Sequence, residues 1–359
     1  MNLTLNERGI KSYKKIKKRN WFVLISLILL LFIFLILGIS LGSSDIGFIN
    51  SIKAFFGVGT KVDIMTIWEM RMPRVLGAIL AGAGLALAGA VMQSCLRNPL
   101  ASPSTIGVSS AATFGANLAI IGFGAGTVVG TTNATININN PYGVTISAFI
   151  FALLAVVLIM AISKFQHFSP ESIILAGTAL SAVFTALTTI MQYFGDETKL
   201  AAAIFWTFGD LSDIYWPELL IISIVLAICF LFFMSQSWNY NVMIAGEETA
   251  KSLGIKTSLT RVLGLIFATL LTAIIVSFVG LIGFIGLVAP QIIKRIIGND
   301  HRFYLPAATL TGSVLLLIAD TISRMVISPI VLPVGAITAL IGAPMFIFIL
   351  MKGLRKRWN

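Results

Sequence analysis

The stretch RMPRVLGAILAGAGLALAGAVMQSCLRNPLASPSTIG, Arg71–Gly107, begins as an apolar run dense in small residues and ends in a polar, broken segment. Gly77, Gly82, Gly84 and Gly89 stand among alanines and leucines, a composition that lets helix backbones approach closely in lipid, where packing holds helices together. Generic helix packing explains any one of these glycine spacings equally well. Pro99 stops the helix and Pro103 opens the next, so Arg97, Asn98 and Pro99 form a polar turn at one face of a membrane.

Composition extends this reading to the whole chain. Of 359 residues, 57% are hydrophobic and 11% charged, and mean hydropathy is +0.97, outside the range of soluble domains. A bilayer core needs about 20 apolar residues per helical crossing. Breaks marked by polar residues, glycine and proline divide the chain into about ten such crossings: Trp21–Leu41, Val75–Cys95, Thr105–Phe123, Val144–Ser163, Ser172–Phe194, Leu219–Met234, Leu259–Val279, Ile282–Ile297, Ala307–Ile327 and Gly335–Met351. The expected fold is all-α and polytopic, with a basic N-terminal segment (1–20) before a single transmembrane domain (21–359). The first apolar run is too long for a signal h-region and lacks a small-residue cleavage site before Gly42, so it reads as a retained helix.

Charge sets the expected orientation. With the N-terminus inside, the inner face receives the seven basic residues from Arg8 to Arg19, then Arg97, Lys164, Lys251, Lys256, Arg261, Lys294, Arg295, Arg302, Lys352, Arg355, Lys356 and Arg357, 19 of the 25 lysines and arginines. The outer face keeps Lys53, Lys61, Arg71, Arg74, Lys199 and Arg324. That imbalance follows the positive-inside rule and places both termini in the cytoplasm of a cell-membrane protein. The net charge of +11 then reflects topology and anionic lipid, with no need of nucleic acid.

Other features read as structural. Cys95 and Cys229 lie in or beside separate helices and suit small apolar packing. His167 and His301 fall at inner loops far apart in sequence, so no metal site is expected. The segment TTNATININN (131–140) reads as a solvated outer loop, with Asn133-Ala134-Thr135 as a formal glycosylation triplet. Asp320 is the one acid in the apolar part of a helix, and Arg324 four residues later is expected to pair with it. Lys251-Ser252 imitates the end of a phosphate-binding loop, but Ala250 stands where glycine is required and Gly246 is out of register. The chain itself is not expected to bind ATP.

Seven segments in one order are similar to the permease subunits of the iron-siderophore, haem and cobalamin ABC importers, the type II importer family. They are RMPRVLGAILAGAGLALAGAVMQ (71–93), RNPLASPSTIGVSSAA (97–112), ILAGTALS (174–181), AGEETAKSLGI (245–255), GFIGLVAPQIIKRIIGNDHR (283–302), LLLIADTISR (315–324) and LPVGAITALIGAPMF (332–346). Two positions depart from many relatives: Gln291 stands where they have histidine, and Val331 where they have glutamate.

The resemblance implies roles. Gly246, Glu247, Glu248, Ala250, Leu253 and Gly254 occupy the inner loop that in the family docks into the ATPase subunit; by themselves they make a short amphipathic turn. Arg71 and Arg324 match the arginines that receive glutamates from the external binding protein, whereas interfacial snorkelling would explain them otherwise. On the fifth crossing, Gly177, Thr178, Ser181 and Thr185 lie at one-turn intervals and are candidates for pathway lining, with helix packing an equal alternative.

The implied function is a permease importing iron-siderophore complexes, with haem or cobalamin as the alternative cargo. Its expected partners are a second permease copy or close paralogue, two ATP-binding subunits carrying ATP and magnesium, a periplasmic or extracellular substrate-binding protein, and membrane lipid. An ion-coupled secondary transporter is the rival of a different class; it would need coupling carboxylates or broken helices near the midplane. An intramembrane enzyme would need a nucleophile and base or a metal set. Neither pattern is in the sequence.

Overall fold

The computed structural model describes residues 5–42, 46–129, 135–138, 140–327 and 330–355. The triplet at Asn133 lies partly outside them. The architecture is the all-α polytopic fold expected, with one small addition: Gly126–Val129 (β1) and Thr135–Ile138 (β2) pair as an antiparallel hairpin. The reading of 131–140 as a plain loop is thus corrected. Thr135, Ile136 and Ile138 supply β-branched residues in a run too short and polar to cross a bilayer.

Among the described residues, seven helical segments are long and apolar enough to span a membrane: Lys14–Ser40, Lys61–Cys95, Pro141–Lys164, Pro170–Tyr193, Trp216–Ser235, Thr257–Val279 and His301–Met325. Of the other three expected crossings, two are shorter helices and the third is a helix of 22 residues. Val108–Asn117 (α5) continues through a π-helical turn to Gly122; Ile285–Ile297 is α13 and Val334–Arg355 is α15. The first helix, α1, runs unbroken over Leu5–Ser40. The basic stretch is continuous with the apolar one in this helix, because nothing between Lys11 and Arg19 breaks a helix.

Between α1 and the next span lie two short helices, Phe48–Phe55 (α2) and Lys61–Met65 (α3), then a π-helical turn, Thr66–Arg71, feeding α4 (Met72–Cys95). Helices α6 (Pro141–Lys164) and α7 (Pro170–Tyr193) each start with proline at the first position, where its missing N–H costs nothing. Then follow α8 (Glu197–Thr207), α9 (Trp216–Ser235), α10 (Ser237–Ala245), α11 (Glu247–Ser252), α12 (Thr257–Val279) and α14 (His301–Met325).

Helix α4 is the axis of the molecule. Its span is 83% buried, against 17% for α1 and 28% for α6, α7 and α9. Glycine makes this possible. A Cβ at Gly82 would collide with the Gly312 carbonyl of α14, and one at Gly89 with the Gly286 backbone of α13. Contacts this close let backbones supply the van der Waals attraction that lipid-solvated side chains cannot. The outer helices keep apolar faces exposed, Leu175, Val183, Leu187 and Ile190 on α7 among them, as lipid or another copy of the chain requires.

Candidate functional site

Two polar constellations sit at opposite ends of α4. At its C-terminal end, α10 runs into Gly246, whose φ of 139° and ψ of 149° form a conformation open mainly to glycine. The chain turns there and starts α11. Ala250 is buried with Val242 and Met243. Glu248 is exposed, and Leu253 is 63% exposed. Gly254 closes the segment at φ +80° with open space around it. The loop expected from the sequence is thus a single helical turn with one face packed and an acid and a leucine offered outward.

Glu247, the first residue of α11, is held from three sides. Arg261 Nη2 donates to Oε2 at 3.0 Å, Thr257 Oγ1 donates to Oε1 at 3.2 Å, and Lys251 Nζ lies 3.4 Å from Oε1. Burial pushes its carboxyl upward, but the hydrogen bond and charge of Arg261, with help from Thr257 and Lys251, outweigh that and hold it below the usual range. Arg261 itself is 1% exposed. Its remaining donors reach the Cys95 carbonyl at 3.1 Å and the Phe168 carbonyl at 2.8 Å.

The turn after α4 lies at this end. Asn98 Oδ1 accepts the Leu100 N–H at 2.9 Å, an Asx turn that shapes the reversal. Arg97 is exposed, with φ of 47°. The Pro99 carbonyl accepts from Gln291 Nε2 at 3.2 Å, and the same amide donates to Gln93 Oε1 at 2.6 Å. Gln291 therefore staples α13 to α4 and to the turn.

At the N-terminal end of α4, Asp320 accepts from Arg324 Nε at 3.0 Å, the pair expected from sequence, and also from Arg74 Nε at 2.7 Å. Arg324 Nη1 donates to the Gly38 and Leu41 carbonyls. Arg71 Nη1 donates to the Ile39 and Ser40 carbonyls and to Ser51 Oγ. Both arginines expected at a docking surface are almost covered, 5% exposed for Arg71 and 4% for Arg324. The end of α1 lies over them, because the last carbonyls of a helix need donors and arginine supplies several in a fork.

The pathway candidates share one arc of α7 but differ in exposure. Gly177 packs against the Ile106 backbone, and Gly107 faces the Gly177 carbonyl and Ser181 Oγ; this pair serves packing between α7 and the start of α5. Thr178 and Thr185 are exposed at the edge of the same stripe of α7. At 3.6 residues per turn the four positions fall within one arc of about 100°, with 177 and 181 toward α5 and 178 and 185 at its exposed edge.

The model of the FecCD transport family matches residues 29–352. The chain belongs to the FecCD transport family. An ABC transporter permease protein of Methanocaldococcus jannaschii is 47% identical over 95% of this chain and 97% of its own length. The hemin transport system permease protein HmuU of Yersinia pestis is 33% identical over 89% of this chain and 93% of its own. A solved structure described as a metal-chelate type ABC transporter in an inward-facing conformation covers 92% of this chain and 99% of its own, at 33% identity and a TM-score of 0.78. As a FecCD permease, the chain is the membrane subunit of an ABC importer, and ATP hydrolysis belongs to a separate subunit.

Sequence reasoning missed three parts of the FecCD permease's polar framework. Arg261 counted only as a positive charge at the inner face; the signal available was an arginine one turn inside an apolar helix, where a charge needs a partner. Arg74 was not paired with Asp320, 246 residues away. His301, assigned to a loop, is fully buried as the first residue of α14.

Proposed function

We propose that the chain is the permease of an importer for ferric siderophore complexes, working as two copies with two ATPase subunits and a receptor that delivers the chelate. Both termini and the 95–107 turn then face the cytoplasm, following the charge imbalance. The observation that carries the reading is the asymmetry of α4: a one-turn helix with outward Glu248 and Leu253 at one end, an arginine cluster at the other. The first suits a groove on an ATPase, the second an acidic, two-lobed receptor. In this docking reading Arg71 and Arg324 meet receptor carboxylates once the cover formed by Gly38–Gly42 shifts. Thr178 and Thr185 line the pathway beside the second copy.

Iron chelates are favoured because the names of the relatives include Fe(3+)-citrate and siderophore transport; hemin, vitamin B12 and molybdate also occur among them. Titration of the partner receptor with ferric siderophores, haem, cobalamin and molybdate, read by its intrinsic fluorescence, tests the cargo. Tight binding of ferric siderophore alone supports the assignment. A receptor that takes only haem, cobalamin or molybdate overturns it while leaving the importer architecture intact.

A further inference from the structure

The last two residues of α4, Ser94 and Cys95, are each held by a side chain from elsewhere in the chain, and both holds lead to the segment α10–α11. The first passes through Arg261. Leu96 and Arg97 spend their N–H groups on the Met92 and Ser94 carbonyls, and the Cys95 carbonyl is taken by Arg261 Nε. A cation at a helix C-terminus also suits the helix dipole. The other arm of the same guanidinium holds Glu247 at the start of α11. A planar fork with fixed donor directions transmits a displacement of one partner to the others, which a flexible ammonium does not.

The second hold passes through His301. Asn241, in the middle of α10, turns its amide nitrogen to Asp300 Oδ1 at 3.0 Å, so its oxygen accepts both the His301 backbone N–H and ring Nδ1–H, each at 2.8 Å. That tautomer leaves Nε2 an acceptor 2.7 Å from Ser94 Oγ, whose single proton it shares with the Ala90 carbonyl at 2.8 Å. The ring is fully buried, between Tyr240 and Tyr304. Neither relay touches the exposed face of α11.

We infer that Arg261 and His301 are positioning residues that carry the movement of the coupling helix α11 into α4, and through α4 to the arginine cluster at its far end. The inference rests on the proposed ATPase contact at α11. Helix α4 is suited to such transmission. Its 24 residues span about 36 Å, its close glycine contacts make it a rigid body, and Arg74 near its other terminus is bonded to Asp320 on α14. The coupling is carried by contiguous contacts with two discrete ends, each biased by a different protein partner.

The test uses the full permease with its ATPase and receptor in proteoliposomes, in the variants Arg261→Lys and Ser94→Ala. Lysine keeps the charge opposite Glu247 but cannot reach Cys95 and Phe168 together; alanine keeps the helix and deletes one hydroxyl. Four quantities are read: thermal stability, copurification of the ATPase, basal ATP turnover, and its stimulation by loaded receptor. Ser94→Ala is expected to keep the first three and Arg261→Lys the second and third, with a lowered melting temperature from the carbonyl it leaves unpaired, and each is expected to lose at least about fivefold of the receptor stimulation, the low end of ordinary coupling factors. Stimulation within twofold of the parent overturns the relay. Loss of stability or of ATPase binding in both variants also overturns it, by assigning the residues a purely structural role. Leu253→Asp separates the underlying reading: if that variant still copurifies the ATPase, the contact at α11 is wrong, whatever the relay variants do.

Discussion

Arg74 of α4 donates to Asp320 of α14 at 2.7 Å, across 246 residues of sequence, and shares that carboxylate with Arg324. One fully buried acid thus serves two nearly buried cations. Arg74 also reaches Ser212 and lies 3.8 Å from Asp210, in the segment before α9. The cluster joins α4, α14, the end of α1 and that segment by directional bonds where the helices themselves offer only smooth apolar surface.

Removing the shared carboxylate should therefore be costly. Asp320→Asn leaves the buried Arg324 guanidinium without a counter-charge and Arg74 with only the more exposed Asp210 at 3.8 Å, which costs about 3–5 kcal/mol for a broken buried pair. The expected result is a large fall in thermal unfolding temperature in detergent and poor recovery of monodisperse protein. A variant as stable as the parent would mean that the cluster is more hydrated than its burial indicates.

Close packing along α4 predicts a position-specific glycine effect. Gly89→Ala places a methyl against the Gly286 backbone, which cannot give way as a side chain can, and should destabilise by about 1–3 kcal/mol as an overpacked site. Gly283→Ala meets nothing within 4 Å and should shift stability by no more than about 0.5 kcal/mol. Paired thermal melts check the contrast, and equal melts would remove the close-approach argument.

Topology is open to a labelling experiment, because both native cysteines are buried. Leu100→Cys, at a residue 45% exposed in the turn after α4, should resist a membrane-impermeant maleimide in intact cells and react after permeabilisation. Ready labelling of intact cells would invert the orientation.

Acid should release the coupling helix. The Glu247 carboxyl is held below its ordinary 4.5 by Arg261 against the opposing effect of burial, so the folded state binds its proton less readily than the unfolded chain. The stabilisation is fully present above pH 4.5 and is lost as pH falls through the lowered folded value. Amide hydrogen exchange over 247–252 should be flat from about pH 8 to 5, once corrected for intrinsic rates, and should rise only in stronger acid. In Glu247→Gln that acid-dependent rise should vanish; its persistence would locate the titration elsewhere.

Some of this was legible without coordinates. Apolar runs of bilayer length, proline at helix starts and a lopsided distribution of lysine and arginine are local or one-dimensional signals, so the membrane class and most crossings could be read directly, while the loop at 245–255 read only as a short amphipathic turn. The pair Asp320–Arg324 was legible for the same reason: four residues is one helical turn. Sequence alone also placed Gly82 and Gly89 at close helix contacts, without naming their neighbours.

Tertiary structure decided what each buried charge touches. Arg261 looked like one more inner cation until folding brought Cys95, Phe168 and Glu247 around it, and Arg74 looked like an outer cation until α14 presented Asp320. Arg71 and Arg324 were expected at an open surface, but the terminal carbonyls of α1 cover them. The division has one physical cause. Local spacing fixes which residues share a helix face, while the partner of a buried ion is whichever element the packing of small residues brings within about 3 Å, a distance that no spacing along the chain encodes.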